Sequence, residues 1–329
     1  MLEHVLNLGN QLKTDLDTSE GFTSVDYQKI VIVGMGGSGV AGDVLKLILN
    51  QYTNIDVEVR KTYNLTKTQI AARPFCLFIS YSGNTEETIS AAKNAIDENL
   101  EWAAISSGGE LLDLATKHNK KFVKVPDGLQ PRAAFGLMTK AVVNYLPNPT
   151  KEIFINACEE AGNYLNNLTK DASNEVFEIS KDIASQIGSK TAVIYAGSDL
   201  TYLVAQRWKT QINENSKSKA YVGFMPEVHH NEILSWEADQ KGSKNNFILI
   251  LLRGDDYKKI ENRFEFTKEI IGSKVDTLDV RNISSDNLII DLFHLVLIGD
   301  LVSVNLADQL DIDPFNIDAI ENLKKKLKG

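Results

Sequence analysis

The chain has 329 residues and a formal net charge of -9, a length that favours two domains, each with a substantial core. The acidic balance argues against broad nucleic-acid or anionic-membrane binding, because such partners select basic surfaces. Cys76 and Cys158 are the only cysteines and form no CxxC pair, which weighs against a disulfide scaffold or a zinc site. Met1 to Asp17 lacks the basic start and apolar core of a signal peptide, and no uninterrupted run reads as a bilayer span, so a cytoplasmic protein is expected.

In chain order, Leu2, Val5, Leu6, Leu8 and Leu12 recur at mostly helical spacing and predict an amphipathic helix within residues 1–20. Apolar, β-branched runs then predict strands over 29–33, 55–59, 75–79, 101–106 and 121–125, separated by helix-like stretches. That βαβα alternation implies a parallel sheet wrapped on both faces. Pro147-Asn148-Pro149-Thr150 breaks the rhythm, and a long helical region, Lys151 to Ile187, leads away from it. The division is placed there, giving domains 1–148 and 149–329. After it the order starts over, with a strand at 191–195, a glycine turn at 196–199, a helix at 200–213 and strands at 246–252 and 274–280. The expected fold is α/β, two doubly wound parallel-sheet domains that repeat one unit.

Two loops carry the chemistry of the first domain. Gly34-Met35-Gly36-Gly37-Ser38-Gly39 and Ser80-Tyr81-Ser82-Gly83-Asn84-Thr85 each follow a strand and open a helix. Backbone N–H groups, helix N-termini and the hydroxyls of Ser80, Ser82 and Thr85 would converge there on an anion such as a phosphate. The first loop also fits the dinucleotide fingerprint, but the acids expected about 20 positions on fall inside the strand Ile55 to Lys61, and cations close it. A nicotinamide enzyme is therefore the weaker reading, since a dinucleotide fold does not require the hydroxyl-rich second loop. In the second domain the corresponding loop is Leu252-Arg253-Gly254-Asp255-Asp256, whose aspartates would repel a phosphate. One phosphate site per chain is expected.

Arg132, in Gln130-Pro131-Arg132-Ala133-Ala134-Phe135, follows the last strand of the first domain and should stand at the same sheet edge as both loops. Glu214 closes the first helix of the second domain, and His229 and His230 lie together in a polar stretch soon after. On an extended segment adjacent histidines face opposite ways, so at most one would aim at a given site. The basic tail Leu323-Lys324-Lys325-Lys326 reads on its own as a solvated helix end.

Taken together, Gly34 to Gly39, Ser80 to Thr88, Pro131 to Phe135, Asn213 to Asn215, His229 to Ile233 and Asp313-Pro314 leading to Leu323-Lys324 resemble the bifunctional phosphoglucose/phosphomannose isomerases, a branch of the sugar isomerase (SIS) superfamily. The resemblance implies two SIS domains and interconversion of glucose 6-phosphate, and of mannose 6-phosphate, with fructose 6-phosphate, without a metal or organic cofactor. It implies that Gly36, Gly37, Ser38, Ser80, Ser82 and Thr85 hold the phosphate. Glu214 would be the base between C1 and C2, Arg132 would stabilise the enediolate, and His230 and Lys324 would assist ring opening. It further implies a homodimer in which the histidine reaches the neighbouring subunit's site. The competing reading from another class is a phosphosugar-sensing SIS protein without catalysis.

Overall fold

The computed structural model describes residues 1–20 and 27–328. Packing divides the chain into one unit of Leu6–Asn167 with Asn287–Ile290 and another of Met1–Val5, Leu168–Asp286 and Asp291–Gly329. The amphipathic helix expected within 1–20 is instead two short helices, α1 (Leu2–Leu6) and α2 (Leu8–Lys13), followed by the two-residue strand β1 (Asp17–Thr18).

The first unit then alternates β2 (Lys29–Gly34), α3 (Gly36–Tyr52), β3 (Asp56–Arg60), α4 (Lys67–Ala72), β4 (Phe75–Ile79), α5 (Glu86–Asp97), β5 (Trp102–Ser106), α6 (Gly109–Lys117) and β6 (Lys121–Lys124). Helices α7 (Phe135–Val143) and α8 (Thr150–Thr169) complete it. The strand order is β1-β6-β5-β4-β2-β3, parallel except for β1. All five residues of β4 are buried, as a strand covered on both faces requires. Because β3 lies on one side of β2 and β4 on the other, the direction of winding reverses between β2 and β4. A crevice opens at the carboxyl ends of such a pair, where ligands of open α/β sheets bind.

The second unit contains α9 (Glu175–Ile187), β7 (Thr191–Ala196), α10 (Asp199–Asn215), β8 (Ala220–Phe224), α11 (Gln240–Asn246), β9 (Phe247–Arg253), α12 (Lys258–Ile271), β10 (Asp276–Arg281), α13 (Leu288–Gln309) and α14 (Asp318–Lys328). Its all-parallel order, β10-β9-β7-β8, repeats β5-β4-β2-β3. The predicted long helix over 151–187 is interrupted, because Asn174 turns the chain and caps α9 by accepting from the Val176 amide at 3.2 Å. The strand β8 was not anticipated; its Tyr221 is exposed and it carries Gly223.

Helix α13 corrects the expectation that no run reads as a bilayer span, since by length and composition it is apolar enough to cross a membrane. It is apolar all round because it is mostly buried. Its Asp300 meets Arg207 of α10 at 2.5 Å, both side chains being buried, and Trp208 Nε1 donates to the Leu295 carbonyl at 2.8 Å. A Cβ on Gly299 would come within 2.0 Å of the Trp208 indole nitrogen, so α10 and α13 approach as closely as glycine allows.

At the end of β9 the fully buried Arg253 meets three carboxylates, with Nη1 2.7 Å from Glu265 and 3.5 Å from Glu261 and Nε 2.7 Å from Asp279, while Phe264 covers its guanidinium at 4.9 Å. Hydrogen bonds from Lys268 and then Arg253 pull the Glu265 carboxyl down from its ordinary value of 4.5 to about 2. A carboxyl depressed on folding stabilises the protein fully above its unfolded value, and the contribution is lost as pH falls through the folded one. The contribution of Glu265 should thus disappear between pH 4.5 and about 2. In urea titrations, Glu265→Gln is expected to be less stable than wild type at pH 6, with the gap narrowing from about pH 4.5 and closing only below about pH 2; a gap unchanged between pH 6 and pH 2 would count against this linkage.

Candidate functional site

The crevice between β2 and β4 is built from two tight exits. Met35 alone separates β2 from α3, and Gly36 begins the helix at φ +52°, a left-handed conformation that favours glycine. Met35, at the N-cap position of α3, makes no side-chain cap, so among the described residues the first-turn amides have neither intrahelical acceptors nor a capping oxygen from the N-cap. The second exit turns at Gly83, where φ is +68° and a Cβ would lie 1.7 Å from the Gly108 carbonyl oxygen. Thr85 occupies the N-cap position of α5 but makes no side-chain cap. Its hydroxyl instead lies 2.8 Å from that of the buried Ser80.

The hydroxyls can be counted as donors. Ser38 Oγ accepts the Tyr81 amide at 3.1 Å, and Ser82 Oγ accepts the Asn84 amide at 3.3 Å, so each keeps its own proton to give. Of Ser80 and Thr85, whichever donates to the other leaves one proton over. Three hydroxyl protons and two uncapped helix starts therefore border one crevice. Glu86 and Glu87 in the first turn of α5 oppose an anion, and the neutral donors must outweigh them.

The structure brings the Arg132 segment to the same place. Pro131–Ala134 forms a 3₁₀ turn against the start of α3, where a Cβ on Gly37 would be 3.1 Å from the Pro131 carbonyl oxygen and 3.7 Å from the Arg132 Cα. Arg132 is buried. Behind the turn, the buried Gln11 of α2 plays a part that sequence reasoning missed. Its Nε2 donates to the Ala133 carbonyl at 2.8 Å, and its Oε1 accepts the Gly136 and Leu137 amides at 3.0 and 3.3 Å, capping α7, which has no cap of its own. No local pattern encodes this, because the cap lies more than 120 residues away in sequence.

The corresponding crevice of the second unit is closed by its own groups. Ser198 and Thr201 form a capping box at the start of α10. The Asp256 carboxylate accepts the Gly254 amide at 3.1 Å, and its Oδ1 lies 3.0 Å from where a Gly197 Cβ would stand. Burial raises the Asp256 pKa, with the Gly254 amide opposing.

The other sequence-predicted residues lie in the second unit. Glu214 is half-buried in the last turn of α10, and the residues around it are anchored. Asn215 Nδ2 donates to Gln211 Oε1 at 3.1 Å and Ser303 Oγ at 2.9 Å, and Lys217 Nζ donates to the Glu214 carbonyl at 2.6 Å and the Pro314 carbonyl at 3.4 Å. Lys217 thus ties the end of α10 to the segment leading into α14, on which Lys324 is exposed. The two histidines differ. A guanidinium only donates, so Arg263 at 3.0 Å makes His229 Nδ1 an acceptor and leaves the proton on Nε2, which donates to Thr267 Oγ1 at 2.8 Å. Burial, and then Arg263, lower the His229 pKa and keep the ring neutral. His230 is exposed, and its ring makes no hydrogen bond with the described residues.

These features define a protein of two SIS units, the first of which, among the described residues, leaves hydroxyl protons and helix starts unpaired at its sheet edge. Residues 25–121 match the SIS domain model, and residues 178–327 match the bacterial phospho-glucose isomerase C-terminal SIS domain model. The C-terminal domain of glucosamine-fructose-6-phosphate aminotransferase from Francisella tularensis shares the fold, with a TM-score of 0.69 at 14% identity over 95% of this chain and 96% of that one. A bifunctional phosphoglucose/phosphomannose isomerase from Thermoplasma acidophilum is 35% identical, covering 98% of each chain. A D-glucosamine-6-phosphate 4-epimerase from Sulfolobus acidocaldarius is 31% identical, covering 91% of this chain and 89% of its own. The chain belongs to the bifunctional phosphoglucose/phosphomannose isomerase family.

The Gln11 cap makes a direct prediction. Gln11→Ala would leave one carbonyl and two amides buried without partners, so a loss of roughly 2–4 kcal/mol in unfolding free energy is expected. Chemical denaturation checks this, and a change under about 0.5 kcal/mol would show that the cap is dispensable.

Proposed function

We propose that the chain is an aldose-ketose isomerase that interconverts glucose 6-phosphate and mannose 6-phosphate with fructose 6-phosphate through an enediolate. The observation that carries this reading is the open crevice, where three hydroxyl protons, two uncapped helix starts and the Arg132 turn border one another in a chain of this family. The phosphate binds to Gly36, Gly37, Ser38, Ser80, Ser82 and Thr85. Held far from C1 and C2, it supplies positioning, which for well-oriented reactants lowers a barrier by several kcal/mol.

Glu214 moves the proton between C1 and C2. Removing a proton beside a carbonyl builds negative charge on oxygen, and a fixed guanidinium stabilises that charge more in the transition state than in the ground state. Arg132 has this role because it stays charged at any working pH. His230 and Lys324 open the sugar ring, the histidine carrying a proton to or from the ring oxygen. No step calls for a metal or an organic cofactor. Epimeric aldoses differ only at C2, which becomes planar in the shared intermediate, so a single base serves both substrates.

The enzyme acts as a homodimer in which His230 completes the site of the partner subunit. Its exposure, beside the fully engaged His229, supports this arrangement.

Coupled assays with glucose 6-phosphate and mannose 6-phosphate should show turnover with both. Glu214→Gln should lower kcat by about 10²–10⁴-fold while hexose phosphate still binds in calorimetry. Binding without turnover in the wild type would instead identify a phosphosugar sensor. Turnover of glucosamine 6-phosphate alone would favour the chemistry named for the Sulfolobus relative. Mixing Glu214→Gln with His230→Gln subunits should recover roughly a quarter of wild-type activity if the histidine crosses a two-fold interface, because only mixed dimers then hold one intact site. No recovery would place the histidine in its own subunit's site.

A further inference from the structure

Tyr81 lies between the two serines of the second loop, yet its phenol is bonded elsewhere. Its amide donates to Ser38 Oγ at 3.1 Å, and its carbonyl accepts from the Ser107 amide at 2.9 Å and hydroxyl at 2.7 Å. The buried phenol donates to the Pro126 carbonyl at 2.9 Å and accepts the Leu129 amide at 3.0 Å. Pro126 and Leu129 are the ends of a four-residue turn that contains Gly128 at φ +89°. In a closed turn of this length the first carbonyl bonds the fourth amide directly. Here the tyrosine hydroxyl is inserted between them and fixes the width of the turn.

That turn runs straight into the Arg132 segment. The Gln130 carbonyl accepts the Ala133 amide at 2.8 Å and starts the 3₁₀ turn that carries Arg132. From behind, Gln11 holds Ala133, Gly136 and Leu137. Gln11 therefore fixes the exit of the Arg132 turn, and the Tyr81 phenol fixes its entrance.

We propose that the Tyr81 hydroxyl is a positioning residue for the reaction: by spanning Pro126 and Leu129 it sets where Arg132 stands relative to the reacting carbons. The proposal rests on the role given to Arg132 above. The same residue grips Ser38 through its backbone, so the phosphate cradle and the cation are referenced to one rigid point. Tyr81→Phe leaves the backbone contact to Ser38 in place and removes only the bridge across the turn, which separates positioning of the cation from binding of the anion.

The experiment compares wild type, Tyr81→Phe, Arg132→Ala and the double variant, measuring glucose 6-phosphate turnover and calorimetric binding of inorganic phosphate. Tyr81→Phe is expected to lower kcat by roughly 10–100-fold, the scale of a small misplacement. KM and the phosphate Kd should stay within about threefold, as a loss confined to the transition state requires. In the Arg132→Ala background the same change should cost less than about twofold, because residues acting through one another are not additive. Gly128→Ala, which strains the turn from its solvent side where a Cβ meets nothing within 4 Å, should reproduce the fall in kcat and serves if the phenylalanine variant does not fold. Wild-type kcat in Tyr81→Phe, or in Gly128→Ala where that variant stands in for it, overturns the proposal. So does an equal loss in both Arg132 backgrounds, or a loss seen in KM and phosphate binding alone. Full turnover by Arg132→Ala would overturn the assignment of Arg132 itself, a failure distinct from that of Tyr81.

Discussion

The hydrogen bond from the Tyr81 amide to the Ser38 hydroxyl, 3.1 Å long, joins the exits of two neighbouring parallel strands. Everything at the first crevice depends on those exits keeping their spacing. Parallel strands must leave the sheet into crossovers, and where the winding reverses the crossovers diverge and leave two helix starts facing open space. The serine hydroxyl bridges that gap without closing it, since it accepts one bond and keeps a proton. Gly36 supplies the left-handed turn into α3, Gly37 lets the Pro131 carbonyl come close, and at Gly83 any side chain would collide with the Gly108 carbonyl.

The second unit shows what the same topology does when nothing keeps its crevice open. Its strand order repeats that of the first, yet Ser198 turns back to cap its own helix and Asp256 fills the space with a carboxylate. The helix start that its own N-cap residue leaves uncapped in the first unit is capped internally in the second. Charge is used differently as well. The second unit places a fully buried Arg253 among three carboxylates at the end of β9, a cluster devoted to holding β10 and α12 to the sheet. In the proposed function the first copy of the fold binds and the second carries side chains on its helix ends, Glu214 among them.

Much of this was legible in the chain. Continuous β-branched runs such as Ile30 to Val33 and Phe75 to Ile79 read as buried parallel strands, because only a strand covered on both faces tolerates so little polarity. The two glycine- and hydroxyl-rich loops read as strand-to-helix exits at one sheet edge, and the structure places them there, joined by the Tyr81 amide to the Ser38 hydroxyl. What escaped was non-local or marginal. The strand β8 is short and half-covered, so its pattern is weak, and the break between α8 and α9 depends on one asparagine. The Gln11 cap and the Tyr81 bridge join segments far apart in sequence, which no window of local periodicity can see. The difference in bonding between His229 and His230 comes from the positions of Arg263 and Thr267, since two adjacent imidazoles are chemically identical until their partners are known.

The net charge of -9 sharpens the account of the cradle. A protein that repels anions on average has two ways to bind one: cations that cancel the field, or neutral dipoles that act only at contact. Exposed charges farther off than about 8 Å are largely screened at physiological salt, so the mean field matters little once the ligand is in place. As a proposed phosphate site, the first crevice would take the second course with hydroxyls and helix amides, whose attraction falls off within the first turn. Neutral donors hold an anion well only if they are already aligned, because each costs ordering entropy when it is not. The fixed loop spacing, the obligatory glycines and the interlinked hydroxyls supply that alignment before any ligand arrives. In the proposed reaction Arg132, the cation of the segment bordering this neutral cradle, answers the charge that appears during turnover, and the cradle answers the charge the substrate brings with it.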